Sequence, residues 1–387
     1  MDAPLRISEV VAEWSGLPPG KGNERTSNPG VVSTKNTEGI AASLRNICGV
    51  SGAIEQRLRS AVGQIEMINL QTKLLSFNAQ IEAAHAGVAG RAFEVVAREM
   101  VALSGRTAES AQQLDEETQR DIRVLNEMID QVGSTVRGTR LSDLAFTNID
   151  LIDRNLYERS CDVRWWATDA SCVDAARDPE KAGHAGRRLG VILDSYTVYY
   201  DIVLCDVGGR IIANGRPEKF ACGGTDQSST GWFQSAMATR SGAEFGFQGL
   251  HCSPTLAGGH MVLVYSAMVR EGGRAEGAPL GCLGIVFNWE ALAQTIVLAT
   301  QVGEAEKKRT RVLIVDENKR VIADNQGRHL QEEFALKDFE ELLACKKGYA
   351  VQMIERRPHL IAYASSPGFE TYATGWHSFI LQPLTLD

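Results

Sequence analysis

Between residues 40 and 118, small and apolar side chains recur at alternating spacings of four and three. The first run is Ile40, Leu44, Ile47, Ser51, Ile54, Leu58, Ala61, Ile65, Ile68, Thr72, Leu75 and Ala79; the second is Phe93, Ala97, Met100, Ser104, Thr107, Ala111, Leu114 and Thr118. A 4–3 repeat held this long is the seam of a coiled coil. The runs are separated by Ala86-Gly87-Val88-Ala89-Gly90. Two glycines three apart among small residues allow a tight helix reversal with close backbone approach. Residues 36–140 are therefore predicted to form one antiparallel helical hairpin, with nearly equal arms from Thr37 to Ala86 and from Gly90 to Arg137. At the rise of an α-helix each arm would be about 70 Å long. A lone hairpin buries one stripe per helix, whereas two side by side seal a core. The expected state is thus a homodimer with a four-helix bundle.

At 387 residues the chain has room for two or three domains. Its net charge of −8 argues against nucleic acid as a partner, since that needs a basic surface. The longest apolar run, His260 to Val269, is far short of a bilayer span and reads as a strand. The first residues, MDAPLRISEVV, lack the basic patch and apolar block of a signal peptide. A cytoplasmic protein without a membrane span is the expectation. The eight cysteines include no CxxC pair and no zinc-ligand spacing, so free thiols and no metal or cofactor are expected.

Residues 1–35 carry turn signals at Pro18-Pro19-Gly20 and Asn28-Pro29-Gly30 and read as a flexible tail, with a short helix conceivable over Ile7–Trp14. Gly133 and Gly138 weaken the second arm; they either bend one rod or make a flexible joint. Beyond them Leu141, Leu144, Ala145, Ile149, Ile152, Leu156, Val163 and Trp166 define an amphipathic helix. From about residue 190 the pattern turns β-rich. Tyr199–Asp206, a turn at Val207-Gly208-Gly209-Arg210 and the return Ile211–Asn214 make a hairpin. The same order recurs as Arg311–Asp316, Glu317-Asn318-Lys319-Arg320 and Val321–Asp324, so two modules on antiparallel sheets are expected, about 190–300 and 305–387. His251-Cys252 does not suggest an enzyme, because neighbours on a strand point to opposite faces.

Residues Gln71–Arg106 resemble the cytoplasmic signalling tip of bacterial methyl-accepting chemotaxis receptors. The likeness is carried by Gln71-Thr72, Leu74-Leu75, Asn78-Ala79, Ile81-Glu82-Ala83-Ala84, Ala86-Gly87, Gly90-Arg91, Phe93, Val95-Val96-Ala97, Glu99, Leu103 and Arg106. The resemblance implies that Leu74, Asn78, Glu82, His85, Arg91 and Val95 contact the chemotaxis histidine kinase and its coupling adaptor. His85 stands where that family usually has the Arg that helps dimers pack into trimers, so a permanent cation is replaced by an imidazole. The family's methyl acceptors would correspond to Gln113, Glu116 and Glu117.

Residues 141–387 resemble a double Cache region, a PAS-like small-molecule sensor. The leading helix, the paired strand–Asp–turn–strand units, Gly224–Phe233, Pro279–Phe287 and Gly375–Leu381 carry the likeness. In that family an amino-acid ligand is held by an Arg before a Trp-Tyr pair and by an Asp in a late strand. Here those places hold Thr230, Phe233 and Val286, so a carboxylate loses its bidentate partner and an ammonium its counter-charge. A ligand read by hydroxyls and aromatic faces fits better, with Asp226, Thr230, Trp232, Phe233, Phe247 and Tyr265 as its contacts and Phe245 beside them. The fold class is a multidomain α plus α+β chain. The function implied is a non-enzymatic signal transducer coupling small-molecule sensing to the kinase; the alternative is a dimeric ligand-binding or scaffold protein.

Overall fold

A computed structural model describes residues 29–328, 330 and 333–384, so most of the tail and its conceivable helix over Ile7–Trp14 lie outside the described residues. The chain divides into two compact units, Met1–Val124 and Leu125–Asp387.

The first unit is the hairpin. Helix α1 (Pro29–His85) is followed by a 3-10 turn (Gly87–Gly90) and helix α2 (Arg91–Trp166). Pro29 opens α1, where its missing N–H costs no helical hydrogen bond. Gly87 takes φ +60, the left-handed conformation that lets α1 stop within one residue. Gly90 is needed for a different reason: a Cβ there would lie 2.1 Å from the carbonyl oxygen of Ala83. The Gly90–Ala83 contact fixes the register of the arms, and Ser104 Oγ confirms it by donating to the Asn69 carbonyl at 3.0 Å. Carried along both arms, the same register sets Ala97 opposite Ser76, Ala111 opposite Val62 and Ile122 opposite Ser51, all buried.

The 4–3 seam is thereby split. On α1, Ser51 is buried and Leu44, Leu58, Ile65, Thr72 and Ala79 are half-buried, facing the other arm. The alternate positions Ile47, Ile54, Ala61, Ile68 and Leu75 stay exposed, Leu75 to 63%. On α2, Ala97, Ser104 and Ala111 are buried while Phe93, Thr107 and Leu114 are exposed, Phe93 to 73%. The buried contacts between the arms are mostly small side chains, joined by Val62 and Ile122, while many of the larger apolar ones point away.

Helix α2 runs unbroken through Gly133 and Gly138 and supplies residues to both units. The helix expected to begin at Leu141 is the same helix, and the glycines do not break it. Gly138 is buried where a Cβ would meet the Tyr349 ring at 2.4 Å, so its purpose is close packing.

In the second unit α3 (Ala170–Arg177), capped by the Asp169 carboxylate on Ser171 N, and α4 (Ala182–Ser195) lead into the first sheet. That sheet contains β1 (Tyr199–Asp206), β2 (Ile211–Asn214), β3 (Gly246–Cys252), β4 (Met261–Arg270) and β5 (Pro279–Asn288), ordered β2-β1-β5-β4-β3. Helix α5 (Gly231–Met237) and the short α6 (Pro254–Ala257) lie in its connections; α7 (Trp289–Ala299) and α8 (Glu304–Lys307) lead to the second sheet. There β6 (Arg311–Val315), β7 (Val321–Asp324), β8 (Lys347–Ile354), β9 (Arg357–Ser365) and β10 (His377–Pro383) run in the equivalent order β7-β6-β10-β9-β8, with α9 (Phe339–Ala344) before β8. Every strand pairing is antiparallel.

The sequence repeat is a repeat of turn chemistry. Asp206 Oδ1 accepts from the Gly208 and Arg210 amides at 2.9 Å, and Asp316 Oδ1 accepts from those of Asn318 and Arg320 at 2.9 Å. Such a side-chain cap satisfies turn amides that no strand can reach. Along α2, Leu141, Ala145, Ile149, Ile152, Leu156, Val163 and Trp166 bury one stripe against Tyr265, Leu283 and Phe287 of the first sheet and Val312, Ala362 and Ile380 of the second. Each sheet keeps a separate apolar cluster on its other face.

Gly90→Ala will destabilise the hairpin, whereas Gly105→Ala, whose Cβ meets nothing within 4 Å, will stabilise it by about 1 kcal/mol, read by urea denaturation followed by circular dichroism.

Candidate functional site

Two regions carry candidate function, one in each unit. At the hairpin tip Leu74, Asn78, Glu82 and His85 follow one another at helical spacing on α1, and Arg91 and Val95 on α2. All six are exposed. The register set by Gly90 and Ala83 puts Glu82 level with Arg91 and Asn78 level with Val95 across the hairpin. Around them Leu75, Phe77, Ile81, Val88, Phe93 and Val96 are exposed as well. An apolar surface of this extent, studded with amide and charged groups, has the composition of a protein-binding face. Gln113, Glu116 and Glu117 lie exposed on α2, where Gln113 Nε2 donates to Glu117 Oε1 at 2.9 Å and Gln112 Nε2 to Glu116 Oε1 at 3.0 Å.

In the second unit the six expected ligand contacts fall in two places, because Trp232 and Phe233 lie on helix α5, which packs on one face of the first sheet, while Phe247 and Tyr265 lie on β3 and β4 with their side chains on the other. Trp232 and Phe233 are buried on the face carrying Val203, Val264 and Val286. The Trp232 ring lies on Gly284, where a Cβ would come within 2.9 Å of it, and the backbone is held by Ser266 Oγ on Trp232 O at 2.7 Å and Trp232 N on Gln248 Oε1 at 3.0 Å. Side chains fill this face. Asp226 is exposed, its carboxylate held below the ordinary range by hydrogen bonds from Ser228; Thr230 Oγ1 donates to Gln227 O at 2.7 Å. Both are tied up in local turns.

Phe247 and Tyr265 face the other side, where they pair across β3 and β4 with ring centroids 4.9 Å apart. Phe245 and Tyr372 complete a cluster about Tyr265, at 6.0 and 6.3 Å from it. Tyr265 and Tyr372 share a hydroxyl–hydroxyl hydrogen bond of 2.6 Å, and burial pushes both phenols well above their ordinary range, so both stay neutral. This cluster borders a cavity of about 420 Å³, a volume suited to a small organic ligand. The cavity is bounded by Phe245 just before β3 and by Phe247 and Leu250 of β3, by the β6–β7 turn with Asp316, Glu317 and Arg320, and by the loop before β10 with Tyr372 and Trp376.

That loop is anchored to α2 by one buried carboxylate. Asp153 Oδ2 accepts from Ser366 Oγ at 2.6 Å and Gly368 N at 2.8 Å; Oδ1 accepts from Thr374 Oγ1 at 2.7 Å and Thr374 N at 3.1 Å. Sequence reasoning missed Asp153, although an acid between Ile149, Ile152 and Leu156 on a buried stripe is a visible signal. Glu317, Tyr372 and Trp376 gave no such signal, since they come together only through the packing of distant loops. Burial pushes the thiols of Cys172 and Cys222 up to about 12, and those of Cys205 and Cys282 also rise, which makes them poor nucleophiles. Among the described residues no group of acidic, His or Cys side chains could hold a metal, and no helix is long and apolar enough to cross a membrane.

Residues 104–385 match the family profile of the Cache domain, and residues 25–152 match that of the methyl-accepting chemotaxis protein signalling domain. Among curated relatives, methyl-accepting chemotaxis protein CtpM of Pseudomonas aeruginosa is 52% identical over 59 residues, 15% of this chain and 10% of that protein. Methyl-accepting chemotaxis protein McpS of Pseudomonas putida is 40% identical over 85 residues, 22% and 13%. Chemoreceptor McpA of Caulobacter vibrioides is 41% identical over 85 residues, 21% and 13%. The chain thus covers only about a tenth of the length of these relatives. Among solved structures, the sensory domain of the Campylobacter jejuni chemoreceptor Tlp3 aligns over 64% of this chain and 93% of that one, at 13% identity and a TM-score of 0.48.

Asp153→Ala strands four donors of the loop and will lower the stability of the second unit by about 3 kcal/mol in urea denaturation. A thiol reagent followed by mass spectrometry will label Cys252 and Cys345 quickly, and Cys205, Cys222 and Cys282 only after denaturant is added.

Proposed function

Because the chain belongs to the Cache domain family and also carries a match to the chemotaxis signalling domain, we propose that it is a chemoreceptor-like signal transducer. In this reading the hairpin comes first and a two-module Cache region follows it. The Cache region binds a small molecule, and the hairpin tip engages the chemotaxis histidine kinase and its coupling adaptor. The protein acts without turnover, in the cytoplasm.

The observation that carries the reading is the hairpin surface. The match over residues 25–152 coincides with a tip on which Leu74, Asn78, Glu82, His85, Arg91 and Val95 are all exposed, at matched levels of two arms. The exposed half of the seam supports a homodimer. Ile47, Ile54, Ile68 and Leu75 leave an apolar stripe in water, and burying such side chains against a second hairpin yields about 2 kcal/mol each. The four-helix bundle so formed would hold two tips together, with trimers of dimers as the higher assembly, where His85 in place of Arg alters the packing contact. Gln113, Glu116 and Glu117 are accessible to a methyltransferase; esterifying the carboxylates of Glu116 and Glu117 would remove negative charge from the outside of the bundle, whereas Gln113 is already neutral and accepts a methyl group only after hydrolysis of its amide to a carboxylate.

Signalling requires that the ligand prefer one of two arrangements of the helices; a differential affinity of about 1–3 kcal/mol is the usual scale of such coupling. Helix α2 is the covalent route, since it provides both the stripe beneath the two sheets and the second arm of the hairpin.

The test is co-sedimentation of the purified chain with kinase and adaptor. The wild type will enter the assemblies, and Glu82→Ala and Arg91→Ala will each reduce its share about tenfold while remaining dimeric, as expected of central interface positions. A wild-type chain that dimerises but never joins the kinase would instead make the hairpin a dimerisation device for a ligand-binding or scaffold protein.

A further inference from the structure

The cavity between the two sheets lies on the opposite side of the first sheet from Trp232 and Phe233, and its chemistry points to one class of ligand. Four of its lining residues are aromatic: Phe245 and Phe247 at the start of β3, and Tyr372 and Trp376 from the loop before β10. The faces of such rings carry negative electrostatic potential and attract organic cations within about 6 Å of the ring centre. One of them already does so, for the Arg164 guanidinium lies 5.8 Å from the centre of the Phe245 ring.

The charged groups sort the possible ligands further. Arg320 is the cation lining the cavity, and it is committed: its Nε and a terminal nitrogen reach Asp316 Oδ2 at 2.8 and 2.7 Å. That pair neutralises itself and leaves little for an anionic ligand. Glu317 is different. Its Oε2 accepts from Trp376 Nε1 at 2.8 Å, which fixes the carboxylate at the cavity edge beside the indole, and its charge has no basic partner among the described ion pairs. Aromatic faces with one oriented carboxylate make a cage for an ammonium group. An anion would meet the same carboxylate as repulsion, and a neutral apolar molecule would gain nothing from it.

We infer that this cavity is a binding site for a small organic ammonium compound, a primary or quaternary amine with an apolar body, held by the Phe247, Tyr372 and Trp376 rings and by Glu317. The inference deepens the sensing half of the proposed function and rests on that reading for its use in signalling. The position of the site gives it a mechanical consequence. Tyr372 and Trp376 belong to, or directly follow, the loop whose Ser366, Gly368 and Thr374 are bonded to Asp153 of α2. An occupant touching those rings is one loop away from the helix that continues into the hairpin.

The experiment is calorimetric titration of the full chain, without kinase, against choline, tetramethylammonium and phenethylammonium, with 3,3-dimethylbutan-1-ol as the uncharged isostere of choline. At least one of the three ammonium compounds will bind with a dissociation constant below about 1 mM, and choline will bind about tenfold tighter than its isostere. Glu317→Gln, which keeps an acceptor for Trp376 Nε1 but removes the charge, will weaken the ammonium about tenfold and leave the melting temperature unchanged. The inference is overturned if none of the three binds at 20-fold that concentration, if the isostere binds as well as choline, or if Glu317→Gln binds as tightly as wild type. The comparison with the isostere needs no variant and stands even if Glu317→Gln fails to fold. Because no kinase is present, a failure here leaves the hairpin reading intact, and a failure of kinase assembly leaves this result intact.

Discussion

The second unit depends on a single buried stripe of α2. Leu141, Ala145, Ile149, Ile152, Leu156, Val163 and Trp166 meet residues of both sheets, which share no strand pairing with each other. A helix side chain buried at such a site contributes about 1.5–3 kcal/mol, so this stripe binds two otherwise separate sheets into one cooperative unit. The same stripe admits one acid. Asp153 is tolerated there because four donors from a single loop surround it, and an unpaired carboxylate at that depth would be costly. Its purpose is positional: it draws the loop of Tyr372 onto the helix, and the loop in turn closes one side of the cavity.

The hairpin obeys the opposite economy. Its arms meet largely through Ser, Ala and Gly, which permits close backbone approach but buries little apolar area beyond Val62 and Ile122. Ile47, Ile54, Ile68, Leu75 and Phe93 face outward. That arrangement is poor for an isolated pair of helices and suitable for one half of a bundle. In the proposed reading a second hairpin covers this face, whereas the second unit has three apolar clusters of its own.

Much of this was legible in the residues. The hairpin reversal followed from Gly87 and Gly90, and the structure gives each glycine a separate reason. The paired strand–Asp–turn–strand units are present in both sheets, down to equivalent amide bonds on Asp206 and Asp316. The 4–3 repeat, however, does not say which half of a seam faces the neighbouring arm; only the register set by Ala83 and Gly90 does. Gly133 and Gly138 looked like a weak point, yet α2 passes both; at Gly138 the close packing of Tyr349 offsets a propensity cost of about 1 kcal/mol. The ligand contacts were read from a linear stretch, Asp226 to Phe233, with Phe247 and Tyr265 added as aromatics. Helix α5 carries Trp232 and Phe233 on one face of the first sheet while Phe247 and Tyr265 point to the other, and the cavity borders only the second group. Its other walls, Glu317 and Trp376, lie 59 positions apart and no local pattern joins them.

In the proposed reading this chain controls a chemotaxis kinase through its hairpin tip. The most direct measurement is the rate of kinase autophosphorylation with adaptor and the purified full chain, against kinase and adaptor alone. The account predicts a rate changed several-fold by the chain, in either direction, and restored to the baseline by Glu82→Ala. An unchanged rate with a folded, dimeric chain would contradict it.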